Sequence, residues 1–135
     1  MEPAELLKCW AEGWTAHDPD VLASIFSADC VYEDVTLGLV HHGLDEIKSF
    51  RSAYVAVFPD MAVDEMSHFQ AGDSICLEWT MSGTHEGDLP DLAATHRRFV
   101  LRGVSVLTFD GERFSSCRDY WDRNTLLHQL NGAER

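Results

Sequence analysis

The hydrophobic period of this chain turns from mainly helical to alternating near residue 60, and that change narrows the available folds more than any other feature. Before it, apolar residues recur every three or four positions, as on a helix; after it they alternate, as on a strand. Helices followed by a run of consecutive strands build an α+β layer rather than interleaved βαβ units.

The helical part reads in three pieces. Leu6, Leu7, Trp10 and Trp14 mark a helix over Glu2–Thr15, with Pro3 well placed in its first turn. His17-Asp18-Pro19 breaks it. Asp18 then caps a second helix whose inner stripe is Leu22, Ile25 and Phe26, closed by Ser27-Ala28-Asp29. Cys30–Val35 reads as a short strand with Tyr32 and Asp34 on one face, and Thr36–Gly43 as a loop. A third helix runs from Leu44 to Phe58 with Ile47, Phe50, Tyr54 and Phe58 as its apolar face, and Pro59 stops it.

In the alternating part, Met61–Phe69, Ser74–His85, Arg97–Phe109 and Arg113–Asp122 read as strands, and Asn124–Leu130 as a terminal helix. Ser74–His85 is the clearest, with Ile75, Leu77, Trp79, Met81, Gly83 and His85 on one side. The Asp110-Gly111 turn joins the last two strands as a hairpin. Arg97–Phe109 is apolar on both sides, which implies cover on both. With the helices on one face, a second copy of the chain is the expected cover for the other. The expectation is one domain over residues 1–135, an α+β cone. Its strongly curved antiparallel sheet wraps three N-terminal helices and encloses an apolar pocket for a small molecule.

A net charge of −13 argues against nucleic acid and against an anionic membrane surface as partners. Met1–Ala11 lacks a signal pattern, and no run approaches membrane-spanning length. Cys9, Cys30, Cys76 and Cys117 form no CxxC pair, so reduced thiols in a cytoplasmic protein are the expectation. His41-His42 with Asp45-Glu46, and His85-Glu86 with Asp88, match no metal-ligand spacing. No phosphate-cradling or dinucleotide motif is present, so neither a metal nor a cofactor is expected.

The candidate chemistry centres on Asp119, which alternation places with Cys117 and Trp121. Facing inward, it is a carboxylate among apolar walls supplied by Trp79, Leu101 and Trp121, a setting that raises its pKa and suits a general acid/base. In the opposite register it faces solvent, or it pairs structurally with Arg97, Arg98 or Arg102. His85 ends the inward face of its strand and is expected near a cavity mouth as a proton-transfer partner for Asp119. Tyr32 and Asp34 share a face and are candidates to hydrogen-bond a substrate carbonyl. Trp14 and Met81 are read as pocket walls, against the alternative of ordinary core packing.

These residues in their order resemble the SnoaL-like polyketide cyclases, within the nuclear-transport-factor-2-like superfamily. The segments are HDPDVLASIFSADCVYED at 17–34, GLDEIKSF at 43–50, FPD at 58–60, GTHEG at 83–87 and RDYWDRNTLLHQL at 118–130. The resemblance implies an α+β cone, a homodimer joined through the outer sheet face, and cofactor-free ring closure by aldol chemistry with Asp119 as acid/base. The last segment also resembles limonene epoxide hydrolase, but the positions of its partner arginine and second aspartate are Trp79 and Met81 here. That breaks the water-activating trio. The leading expectation is a cyclase- or isomerase-like enzyme acting on an apolar, carbonyl-rich molecule. The alternative is a non-catalytic domain that binds a hydrophobic small molecule.

Overall fold

The computed structural model describes residues 2–16 and 18–132; His17, part of the expected helix break, lies outside the described residues. Helix α1 spans Pro3–Thr15 and buries Leu6, Leu7, Trp10 and Trp14, the stripe read from the sequence. The short α2, Pro19–Ala23, is capped by Asp18, whose side chain accepts from Asp20 N at 2.9 Å. Gly13 lets α1 and α2 touch: a Cβ there would stand 2.6 Å from the Leu22 Cα. Helix α3, Gly43–Val57, buries Ile47 and Phe50 and ends before Pro59.

Six strands form one sheet: β1 Phe26–Asp34, β2 Leu39–His42, β3 Ala62–Ala71, β4 Ser74–Thr84, β5 Arg98–Phe109 and β6 Phe114–Trp121. Their spatial order is β2-β1-β6-β5-β4-β3. The last four form the expected antiparallel meander, and β4 pairs with β5 residue for residue from Ser74↔Thr108 to Thr84↔Arg98. A final helix, α4 at Arg123–Leu130, is capped by Asp122. Where β6 stops short, α4 continues the ladder: the Gln129 amide donates to Val100 O at 2.8 Å, and its carbonyl oxygen accepts from Val100 N at 2.7 Å.

Three expectations are corrected. Phe26 is not helical but opens β1, because Phe114 N donates to Ile25 O at 2.9 Å and the Phe26 ring packs on Phe114 and Tyr32. Thr36–Gly43 is not all loop: β2 pairs with β1, and its mostly exposed residues hid it from a hydrophobic-period reading. The sheet is not wholly antiparallel either, since β1 runs parallel to β6, with Asp34 beside Asp119.

Candidate active site

Strand alternation brings two acidic side chains to one place. Along β6, Cys117 and Asp119 face the helices; along β1, Tyr32 and Asp34 do the same. Because Asp34 and Asp119 are register partners, two carboxylates stand side by side, Asp34 with 1% and Asp119 with 7% of its surface exposed. Buried carboxylates need hydrogen-bond donors. Each has its own set.

Asp119 Oδ2 accepts from the Tyr32 hydroxyl at 2.6 Å, and Oδ1 accepts from the Ser105 hydroxyl at 2.5 Å. The Cys117 thiol lies 3.4 Å from Oδ1, and the Trp79 indole N–H donates to Ser105 Oγ at 2.9 Å. Burial pushes the Asp119 carboxyl up from its ordinary value to about 7, and the neighbouring charge of Asp34 adds to the rise, while the bonds from Ser105 and Tyr32 oppose it. The same burial, with Asp119 alongside, holds Tyr32 and Cys117 well above their usual ranges. Gly103 makes this arrangement possible. It faces Trp79 across the β4–β5 pair, and a Cβ there would lie 2.2 Å from the indole ring.

Asp34 holds a wall. It accepts from the Tyr54 hydroxyl at 2.7 Å, from Leu37 N at 3.0 Å, and from the Trp121 indole N–H at 3.2 and 3.3 Å to its two oxygens. The Trp121 backbone is pinned through Thr36, whose hydroxyl donates to Trp121 O at 2.6 Å and accepts from Trp121 N at 3.0 Å.

Between the carboxylates and α1 lies an inner chamber walled by Trp10, Trp14, Trp79, Val63 and Met81. Asp34, Asp119, Tyr54 and Trp121 complete it, and about 20 Å³ is open to the centre of a water molecule. Taken as a sphere and widened by the ~1.4 Å radius of water, this is a void of about 3 Å radius. Tyr54 and Trp121 also border an outer chamber of about 370 Å³ with Leu37, Leu39, Leu89 and Leu126. The indole N–H groups of Trp10 and Trp14 find no acceptor among the described residues, so packing alone holds those rings.

Of the residues singled out from the sequence, Asp119, Asp34, Trp14, Trp79, Met81 and Trp121 border the inner chamber. Tyr32 does not; it is fully buried behind Asp119, bonded to that carboxylate and packed edge-on against the chamber wall Trp14. Leu101 is core, 3% exposed, and does not border the chamber. His85 is corrected too: it is fully buried against Phe58, its Nδ1 accepts from Thr95 N at 3.1 Å, and it does not border the Asp119 chamber. His85 follows directly after β4, where Phe58 and Thr95 cover it and the 86–97 segment returns to pair with it through His96 N and Arg97 O. No arginine pairs with Asp119 among the described residues; Arg98 lies on the outside with Asp60 at 3.6 Å. Ser105 and Tyr54 were not anticipated as site residues. Ser105 had a readable signal as the one hydroxyl in line with Phe99, Leu101 and Leu107. Among the described residues, no three His, Cys, Asp or Glu side chains converge as a metal-ligand set, and no helix is long and apolar enough to cross a membrane.

The profile of the family described as SnoaL-like polyketide cyclase matches residues 4–130. Among solved structures, the chain is similar to a Catenulispora acidiphila protein with a ketosteroid isomerase-like fold, solved in complex with trimethylamine. The two share 26% identity over 99% of this chain and 96% of that one, with a TM-score of 0.84. It is also similar to IdmH of Streptomyces antibioticus, a candidate polyketide cyclase, at 21% identity over 97% and 99% of the chains and a TM-score of 0.83. TsrD of Streptomyces laurentii aligns at 18% identity over 96% and 97%, with a TM-score of 0.84. No match emerges among curated proteins.

Proposed function

The chain belongs to the SnoaL-like polyketide cyclase family, and on that premise we propose that it performs cofactor-free acid/base chemistry on a small carbonyl compound, with Asp119 as the proton carrier. The observation that supports this is a buried carboxylate bordering a chamber and held at about pH 7, where the acid and base forms are comparably populated. In the proposed reaction, ionised Asp119 takes a proton from the carbon alpha to a carbonyl. The electron pair moves onto the carbonyl oxygen as an enolate, which attacks a second carbonyl, and the protonated Asp119 returns its proton to the new alkoxide. Ser105 and Tyr32 hold the carboxylate, and Trp79 holds Ser105. Tyr54 and Trp121 are the residues an incoming molecule meets between the two chambers.

The test is α-proton exchange of 2-tetralone in D₂O, followed by NMR with the protein in solution. Wild type should accelerate exchange, and Asp119→Asn should lose about 100-fold or more of that acceleration. Equal rates for the two proteins overturn the proposal.

A second reading is a domain that binds a small molecule without turning it over. It is favoured by the Catenulispora relative, whose structure holds trimethylamine, together with an inner chamber on the scale of a single small group.

The same premise supports a homodimer through the outer sheet face, where Val100 is 55% exposed and Tyr120 42% exposed on neighbouring strands.

A further inference from the structure

The inner chamber carries an electrostatic imbalance that a neutral ligand leaves in place. Two buried carboxylates face it, and no lysine, arginine or histidine is among the described residues that border it. Its remaining walls are chiefly aromatic. Trp10 and Trp14 lie 6.5 Å apart at 66°, Trp10 and Trp79 6.1 Å apart at 41°, and Trp14 and Tyr54 5.7 Å apart at 82°. These rings pack edge-on or tilted against one another, which fixes the aromatic wall, and the chamber lies beside them. Aromatic walls around a small void, with acidic groups beside them, are complementary to a desolvated organic cation.

The hydrogen-bond pattern narrows the cation further. The oxygens of Asp34 and Asp119 already accept from Tyr54, Trp121, Leu37, Tyr32 and Ser105. A primary ammonium brings three N–H donors that would compete for those oxygens. A quaternary ammonium brings none and is held by ring faces and charge alone. A void of about 3 Å radius is the scale of such a head group.

We propose that the inner chamber binds a quaternary alkylammonium ion, its methylated head among Trp10, Trp14, Trp79 and Trp121 and its charge met by Asp34 and Asp119. Tyr54 and Trp121 border both chambers, so the chain of the ligand points past them towards the apolar outer chamber. The protein's net charge of −13 raises the local concentration of cations around it. This inference rests on the binding reading of the same chamber.

A consequence is a defined pH dependence. The titratable groups facing Asp119 are Asp34 and Tyr32 from β1, Cys117 from its own strand and Tyr54 from α3. Burial holds both tyrosines and the thiol above their usual ranges, so they stay neutral near pH 7. A cation favours ionised Asp119, so its affinity rises as the pH rises through about 7 and levels off above.

The experiment uses choline, whose charge is independent of pH, and its uncharged carbon isostere 3,3-dimethylbutan-1-ol, titrated by calorimetry at constant ionic strength. On the wild-type protein choline should bind at least ~30-fold more tightly than the isostere, and about tenfold more tightly at pH 8 than at pH 6. Asp119→Asn should remove the pH dependence. Equal affinity for choline and the isostere, or a choline affinity flat from pH 6 to pH 8, overturns the proposal without needing any variant to fold. The ketone-exchange assay is independent of the comparison between choline and its isostere. Failure there removes the proton chemistry and leaves the cation site; failure here does the reverse.

Discussion

Asp34 and Asp119 are neighbours in register, equally charged when ionised and almost equally buried, yet their surroundings give them different work. Asp34 ties together three elements: Tyr54 from α3, Trp121 from the end of β6 and Leu37 from the β1–β2 turn. Asp119 is held within the sheet by side chains of β1, β5 and β6, and its edge borders the chamber. The comparison teaches that burial alone does not make a catalytic carboxylate. What matters is whether its donors close a wall or leave a proton poised.

The largest expected effect tests the Asp119 side. Its folded pKa is raised, so ionisation opposes folding. The stability it allows is fully present below the unfolded value of about 4 and falls as pH rises towards about 7, then levels off. A rise from about 4 to about 7 corresponds to about 4 kcal/mol. Asp119→Asn should remove this slope and leave the protein as stable as wild type, or more so, at pH 8; urea unfolding at several pH values measures both. A variant less stable than wild type at pH 8 would make Asp119 a structural group like its neighbour.

Asp34→Ala should behave in the opposite way. It strands the Tyr54 hydroxyl, the Trp121 indole N–H and Leu37 N, and should cost about 3 kcal/mol at neutral pH. A loss under ~0.5 kcal/mol in urea unfolding would erase the distinction between the two carboxylates.

Gly103→Ala asks whether the Asp119 network depends on the position of Trp79. The added methyl meets the indole at 2.2 Å and should cost about 1–3 kcal/mol while displacing Trp79 from Ser105. The indole N–H resonance of Trp79 in an NMR spectrum should move, and that of Trp121, bonded to Asp34, should stay in place.

The finest test is Tyr32→Phe. The Tyr32 hydroxyl stabilises ionised Asp119, so its removal should raise the Asp119 pKa by about one unit, read from the carboxyl carbon shift. An unchanged pKa would mean that desolvation outweighs that hydrogen bond entirely. On the outer face, light scattering should find a dimer, and Val100→Lys should weaken it.

The amino-acid pattern alone determined much of this molecule. The change of period near residue 60 marked where α3 gives way to the β3–β6 meander, although β1 and β2 already precede α3; the alternation of β4 put Trp79 and Met81 on one face, and that of β6 put Asp119 with Cys117 and Trp121. These are local facts, because the two-residue repeat of a strand and the 3.6-residue repeat of a helix act within a few positions.

Only the tertiary structure decided which strands meet. The parallel pairing of β1 with β6 joins residues 85 apart and sets Asp34 beside Asp119, and nothing within either segment specifies its partner. The same holds for Ser105 and Tyr54, which become site residues only when β5 and α3 close on those carboxylates. His85 shows the converse. It keeps the parity of the inward face of β4 but lies just past the end of that strand, where its fully buried ring meets Phe58 and Thr95 instead of the chamber. Alternation fixes the side of a sheet on which a residue lies; what covers that side at each point depends on packing between distant segments.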